Sequence, residues 1–156
     1  MTSHDFTARI RWTGNRGQGT ASYKGYARTW SVETPGKPVI HCSNDPRLCG
    51  DPSLHNPEDM LLSALSACHM LWYLHLASDA GIAVQSYHDD PLGHGESVPS
   101  GAGRFLAATL RPQITVPVGT DLARADAIHH EIGKVCFIAR SVNFPIAHET
   151  TYFFSG

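Results

Sequence analysis

The stretch Asn56-Pro57-Glu58-Asp59-Met60-Leu61-Leu62-Ser63-Ala64-Leu65-Ser66-Ala67-Cys68-His69 carries more structural instruction than any other in this chain. Asn56 is a good N-cap, because its side-chain oxygen can take an N–H that the first helical turn leaves unpaired. Pro57 suits the first helical position, where its fixed φ is already helical. Glu58 and Asp59 place negative charge where the helix dipole favours it. From Met60 to Ala80 apolar residues fall on nearly every side, and Gly81 supplies a C′ stop. A helix without a solvent face must be buried, either centrally or in a subunit interface. Its predicted length is roughly 24 residues, or about 36 Å at 1.5 Å per residue.

Before this helix the sequence is β-rich. Phe6 to Trp12 mixes β-formers with polar residues, and Gly14 to Gly19 reads as a turn. Tyr23 to Val32 reads as a hairpin partner and Val39 to Cys42 as another short strand. Asp45 to Leu54 is a Pro/Gly/Asp loop. After the helix, Ile82 to Tyr87 predicts a strand, His88 to Gly103 a loop, and Phe105 to Val118 a strand with a bulge or edge at Arg111-Pro112. Asp121 to about Ile138 predicts a second helix with Ala123, Ala127, Ile132 and Cys136 toward the core. Ser141 to Phe154 closes with β character. This order of strands, buried helix, strands, helix and strand is an α+β architecture with mainly antiparallel pairing.

Bulk properties narrow the function classes. With 156 residues the chain can build one domain, residues 1–156, around a sizeable core. A formal net charge of −2 argues against a nucleic-acid partner, which would call for a basic stripe. No run reaches the roughly 18 apolar residues of a membrane span, so no membrane partner is expected. Met1 to Arg11 lacks the apolar region of a secretory signal, which favours the cytoplasm. There, the four cysteines are reactive or buried thiols rather than a disulfide scaffold.

Taken singly, Cys68 and Cys136 each read as a small core residue. Together, on two different apolar helices, they can face one another. Such a pair suits a nucleophilic thiol that becomes a sulfenic acid and a second thiol that condenses with it. A thiolate in apolar surroundings needs a positive neighbour, since burial alone raises its pKa. Arg47, Arg16 and Arg28 are the nearby arginines in sequence, and Glu58 could orient one of them. Ten residues separate Glu58 from Cys68, about 15 Å of helical rise, so an arginine held by Glu58 must reach Cys68 from another direction. A second subunit is the plausible source.

The Asn56-to-His69 stretch resembles the signature of the osmotically inducible protein C / organic hydroperoxide resistance (OsmC/Ohr) family. There Asn-Pro-Glu opens the central helix and an Ala-Cys follows ten residues after the Glu. Cys136-Phe137-Ile138-Ala139-Arg140-Ser141-Val142 resembles the family's second cysteine region, and Arg11-Trp12-Thr13-Gly14 with the Gly17-to-Tyr23 turn resembles its start. The resemblance implies an intertwined homodimer with strongly curved sheets around two central helices. It implies reduction of organic hydroperoxides to alcohols by Cys68 and Cys136, with Glu58 and an arginine activating Cys68. An external dithiol, lipoyl or other, would regenerate the pair, and no bound cofactor is implied. Arg47 sits about where the OsmC branch has its arginine, whereas the Ohr branch would point to Arg16. Cys49 is a departure from the family pattern.

The histidines offer no competing site in the sequence. His69 is adjacent to Cys68 and points about 100° away from it on a helix. His75, His129 and His130 lack a spacing such as His-x-x-x-His, and the His88-to-His94 loop lacks a defined ligand set, so no metal is expected. Rival readings are a non-catalytic protein of this fold binding a small apolar ligand, a thiol redox sensor, and a cysteine hydrolase, which lacks a His partner.

Overall fold

The helix opened by Asn56 is closed off by a reciprocal cap. Asp59 N–H donates to Asn56 Oδ1 at 2.8 Å, and Asn56 N–H donates to Asp59 Oδ2 at 3.2 Å. This is the capping-box arrangement with Asp in the usual Glu position. The helix, α1, runs Pro57–Asp79, and Gly81 follows at φ 73, the left-handed geometry that a C′ residue needs. The computed structural model describes all residues, Met1–Gly156. They form two compact units, Met1–Met60 and Leu61–Gly156, with the boundary in the first turns of α1.

The first unit holds a three-stranded antiparallel sheet of β1 (Ile10–Trp12), β2 (Trp30–Val32) and β3 (Ile40–Cys42) in that spatial order. Trp12 lies opposite Trp30, and Trp30 opposite Cys42. The strands are shorter than the sequence predicts. Tyr23 to Tyr26 forms turns instead, and Trp12 Nε1 donates to the Ala27 carbonyl at 2.9 Å. Ser31, Cys42 and Ser43 are buried. The polar groups of Ser43 are paired: its N–H donates to the His55 carbonyl at 2.8 Å, its carbonyl accepts from Trp30 Nε1 at 2.7 Å and its hydroxyl accepts from Asp51 N–H at 2.9 Å.

The second unit contains two three-stranded sheets, β4-β7-β9 and β5-β6-β8. The strands are β4 (Ser86–Asp89), β5 (Leu92–Ser97), β6 (Gly103–Leu110), β7 (Pro112–Pro117), β8 (Ile146–His148) and β9 (Thr151–Ser155). β4 runs into β5 through Asp90-Pro91, β6 into β7 through Arg111, and β8 into β9 through Glu149-Thr150. Three neighbouring strands therefore turn at one line, and the two sheets are two halves of one sharply bent sheet. The β4–β7 and β5–β6 pairs are antiparallel, and β6–β8 and β7–β9 are parallel. Two sequence expectations change here. Arg111-Pro112 is a corner between two strands rather than a bulge in one, and the region from His88 to Gly103 contains β5 rather than a loop throughout.

The second helix, α2, spans Leu122–Ile132, with the Asp121 carboxylate accepting from Arg124 N–H at 3.1 Å. It buries Ala125, Ile128, His129 and Ile132, the i, i+3, i+4, i+7 spacing of a single core face. Ala123 and Ala127, expected inward, are exposed. α1 buries Leu65, His69, Tyr73 and Ala77 at i, i+4 steps. One core cluster joins Tyr73, Ala77, Ile114, Val116, Ile128, Ile132 and Cys136, and another joins Leu65, Ala108 and Leu110. By length and mean hydropathy α1 is apolar enough to cross a membrane, yet only 28% of that window is buried within the chain. Leu71, 63% exposed, is the most exposed large apolar side chain on it.

Two imidazoles lie inside this core. His69 Nε2 and His129 Nδ1 are 2.8 Å apart with near-parallel rings, and His129 Nε2 lies 3.1 Å from Thr150 Oγ1. The facing nitrogens must share one proton, so the two rings cannot both be cationic there. Burial holds His69 down to about 4, and burial followed by its imidazole neighbours holds His129 down to about 3. An unfolded histidine titrates near 6.5. Below about pH 6.5 the unfolded chain therefore holds protons that the folded chain refuses, so stability is complete above that pH and is lost as pH falls toward 4. Urea midpoints at fixed ionic strength should be level from about pH 8 to 7 and decline between about pH 6.5 and 5. A flat profile down to about pH 5 would show that these rings are not held neutral.

Candidate functional site

Cys68 sits at the middle of α1, half-buried, one position before the buried His69. Cys136 is fully buried and lies beyond α2. The sequence expectation of a helix running to about Ile138 fails at Gly133, a residue with poor helix propensity. After it the chain tightens: Val135 N–H and Cys136 N–H both donate to the Ile132 carbonyl, at 3.0 and 2.8 Å. A short 3-10 turn, Ala139–Ser141, follows. Cys136 is therefore a turn residue, not a helical one.

The two sulfurs meet. Cys136 Sγ donates to Cys68 Sγ at 2.8 Å, and Cys136 Sγ accepts from Ala139 N–H at 3.4 Å. Both are free thiols, closer than van der Waals contact and well outside the roughly 2.05 Å of a disulfide bond. Burial, and next the hydrogen bond to Cys68, push the Cys136 thiol up to about 11. Cys136 therefore keeps its proton at neutral pH and presents it to Cys68. Cys68 borders the larger core cluster, as do Trp72, Leu76, Tyr87, Ile138 and Tyr152, so the pair lies in apolar and aromatic surroundings. His69 is engaged with His129 and leaves Cys68 without an imidazole partner, in line with the helical spacing.

The arginines and Glu58 belong to the first unit. Arg47 is 76% exposed, and its guanidinium is bound to Asp45 at 2.7 Å rather than to Glu58. Asp45 also caps the short 3-10 turn Pro46–Leu48 by accepting from Arg47 N–H. Glu58 acts on Arg47 only as a more distant charge. Arg16 is exposed in a turn whose Gly17 and Gly19 N–H groups both donate to Asn15 Oδ1. Arg28 differs from both. Its guanidinium carbon lies 4.3 Å from the Tyr23 ring centre and 4.0 Å from that of Tyr26, and Nη1 donates to the Tyr26 carbonyl at 2.7 Å. Its Nη2 is buried without a partner. A buried, unpaired guanidinium N–H is costly, so Arg28 has a donor to offer. Cys42 is a buried core thiol, and Cys49 is exposed at φ 65.

The sequence reading missed one grouping. Asp126 and His130 on α2 converge with His148 at the end of β8, one ligand atom of each lying within 4.8 Å of the others. The helical half has the spacing Asp-x-x-x-His, which a search for paired histidines passes over, and the third member is 18 residues further on.

The profile of the OsmC-like protein family matches residues 50–151. No functionally curated protein matches the chain. Among solved structures, an OsmC-like protein of unknown function from Vibrio cholerae O1 is 27% identical, with 97% of this chain and 100% of that one covered at a TM-score of 0.82. An organic hydroperoxide resistance protein from Legionella pneumophila is 16% identical, with 96% and 98% covered at a TM-score of 0.66. One from Elizabethkingia anophelis is 15% identical, with 99% and 100% covered at a TM-score of 0.64, and these two show a shared fold alone. With a bent sheet carrying two helices and a profile match over most of its length, the chain belongs to the OsmC-like family.

Proposed function

We propose that this chain is a thiol peroxidase that reduces organic hydroperoxides to alcohols through Cys68 and Cys136. The observation that carries the reading is the 2.8 Å contact between the two sulfurs. In the cycle, the Cys68 thiolate attacks the distal peroxide oxygen. The O–O bond breaks, the alkoxide takes a proton from solvent to leave as the alcohol, and Cys68 becomes a sulfenic acid. Cys136 then attacks the Cys68 sulfur, forming the disulfide and expelling water. An external dithiol reduces that disulfide and is itself oxidised. Before the first step, the protonated Cys136 stabilises negative charge on Cys68 by donating to it. Apolar surroundings favour alkyl and aryl peroxides over hydrogen peroxide.

Wild-type protein with a dithiol should consume cumene hydroperoxide catalytically, and Cys68→Ser should fall by at least about 100-fold, to background. Cys136→Ser should still form one sulfenic acid per chain, trappable by dimedone, and then stall. A wild type without turnover would favour a ligand-binding or redox-sensing protein, and turnover that survives Cys68→Ser would exclude this mechanism.

A second copy of the chain would supply the arginine and the Glu58 that activate Cys68. Arg47 is supported by the charge of Glu58 acting on it, and Arg28 by its unpaired Nη2. Substituting the acting arginine by Ala should slow sulfenic acid formation by about 100–1,000-fold, a loss of the size seen when one preorganised donor is removed. Stopped-flow measurement on Arg47→Ala, Arg28→Ala and Arg16→Ala separates the three. Equal rates in all of them would remove arginine from the mechanism.

We further propose that a second copy of the chain covers the open side of α1. Leu61 and Leu71 are exposed on it, beside the half-buried Met70, Trp72 and Leu74. Leaving such a strip in water is unfavourable at about 25 cal/mol per Å2. Light scattering should give twice the chain mass for the wild type and the chain mass for Leu71→Lys, whereas a monomeric wild type would remove the dimer.

A further inference from the structure

We propose that Asp126, His130 and His148 form a binding site for a divalent transition metal of borderline softness, such as Zn2+, Co2+ or Ni2+. None of the three takes part in the thiol chemistry. Asp126 and His130 stand four residues apart on α2, so their side chains leave the same face of the helix. His148 ends β8 and brings a third ligand from a separate element. One ligand atom from each lies within 4.8 Å of the other two.

The trio is uncommitted. No ring nitrogen of His130 or His148 and no oxygen of Asp126 makes a hydrogen bond or ion pair within the chain. Elsewhere in this protein, histidines beside carboxylates are already paired. His75 sits 3.5 Å from Asp79 and His88 3.0 Å from Asp90. Three free donors meeting at one point are what a cation requires and what a surface pair does not leave.

The His148 ring is also held. His148 stacks on His129 with centroids 4.8 Å apart, and His130 meets the edge of His148 at 5.0 Å. His129 in turn lies against Tyr73, with centroids 4.4 Å apart, and its two nitrogens are taken up by His69 and Thr150. The orientation of His148 is thus fixed from inside the core. At bond lengths of about 2.0–2.2 Å, ligand atoms around one metal lie roughly 3.0–3.5 Å apart. Closing from 4.8 Å needs only side-chain rotation of Asp126 and His130 on a fixed helix.

Two imidazoles and one carboxylate select borderline divalent metals over Mg2+ and Ca2+, which demand oxygen ligands. Three protein ligands leave further coordination positions for water or another molecule. A bound metal would also join α2 to β8.

Titration of the full-length protein with Co2+, followed by absorption, tests the site. Expected is one saturable equivalent with a weak visible spectrum of nitrogen and oxygen ligands, without an intense sulfur charge-transfer band. Loss of an outer partner of a metal ligand costs about 10–100-fold in affinity, so removing a ligand outright should cost at least about 100-fold. His130→Ala and His148→Ala should show that loss, Asp126→Asn at least about tenfold, and His75→Ala none. His130 is exposed, so His130→Ala keeps the test informative should His148→Ala fold poorly. Absence of saturable binding in the wild type overturns the proposal, as does binding retained in His130→Ala or a spectrum dominated by thiolate ligation.

Discussion

The second unit depends on a bend. β4–β5, β6–β7 and β8–β9 all turn where their halves meet, and a carboxylate sits at that line. At the corner between β6 and β7 the backbone N–H of Arg111 leaves the ladder and must find another acceptor. Asp89 Oδ1 takes it at 2.7 Å. The other oxygen of the same carboxylate accepts from Ser66 on α1 at 2.5 Å. Asp89 therefore ties the corner of the sheet to the helix, two residues before Cys68. With that tie, Leu65 packs on Ala108 and Leu110 of β6, and Tyr73 and Ala77 pack on Ile114 and Val116 of β7. The rotation of α1, and with it the direction of Cys68, follows from the curvature.

Cys136 arrives at the same place by a different route. α2 ends early, and the tight turns after Ile132 carry the chain inward so that the thiol is fully buried. Burial favours its protonated form, and its S–H donates to Cys68. The asymmetry in exposure separates the two thiols chemically: one half-open to solvent and small molecules, the other closed and protonated. That division suits a first thiol that meets peroxide and a second that acts only once the first is oxidised. The two sulfurs meet even though the local structure around the second differs from the sequence expectation. The second cysteine was expected on a helix, and what brings it to Cys68 is the failure of that helix at Gly133.

What the sequence disclosed was local. The Asn56 cap, the acidic first turn and the Gly81 stop act within a few residues, and the structure has all three. What it hid depends on partners distant in the chain. β5 reads as a loop because it carries Gly93 and Gly95, yet the Phe105 ring and the Leu62 methyl pack against Gly93 where a Cβ would sit, so packing favours glycine in a strand there. The inward face of α2 is not legible from polarity, because Ala123 and Ala127 are apolar and His129 is not, whereas the core takes His129 with Ala125 and Ile128. Glu58 is a candidate partner for one of the nearby arginines, but Asp45, two residues from Arg47, binds that guanidinium at little entropic cost. The convergence of positions 69, 129 and 148 has no local signal at all.

That imidazole column shows what polar groups do in this core. Two buried histidines contribute less packing than two large apolar residues would, and each must be given a partner. The partners come from three elements. Tyr73 on α1 donates to the Ala125 carbonyl on α2 and meets Tyr152 of β9, while His129 on α2 meets His69 on α1 and Thr150 before β9. An apolar interface tolerates a helix sliding by a fraction of a turn, but a hydrogen-bonded one does not, because a shift strands every donor at once. The network therefore fixes the register of both helices against the strand. It fixes the His148 ring as well, through its stack on His129, so a constraint set in the core extends to the surface trio with Asp126 and His130.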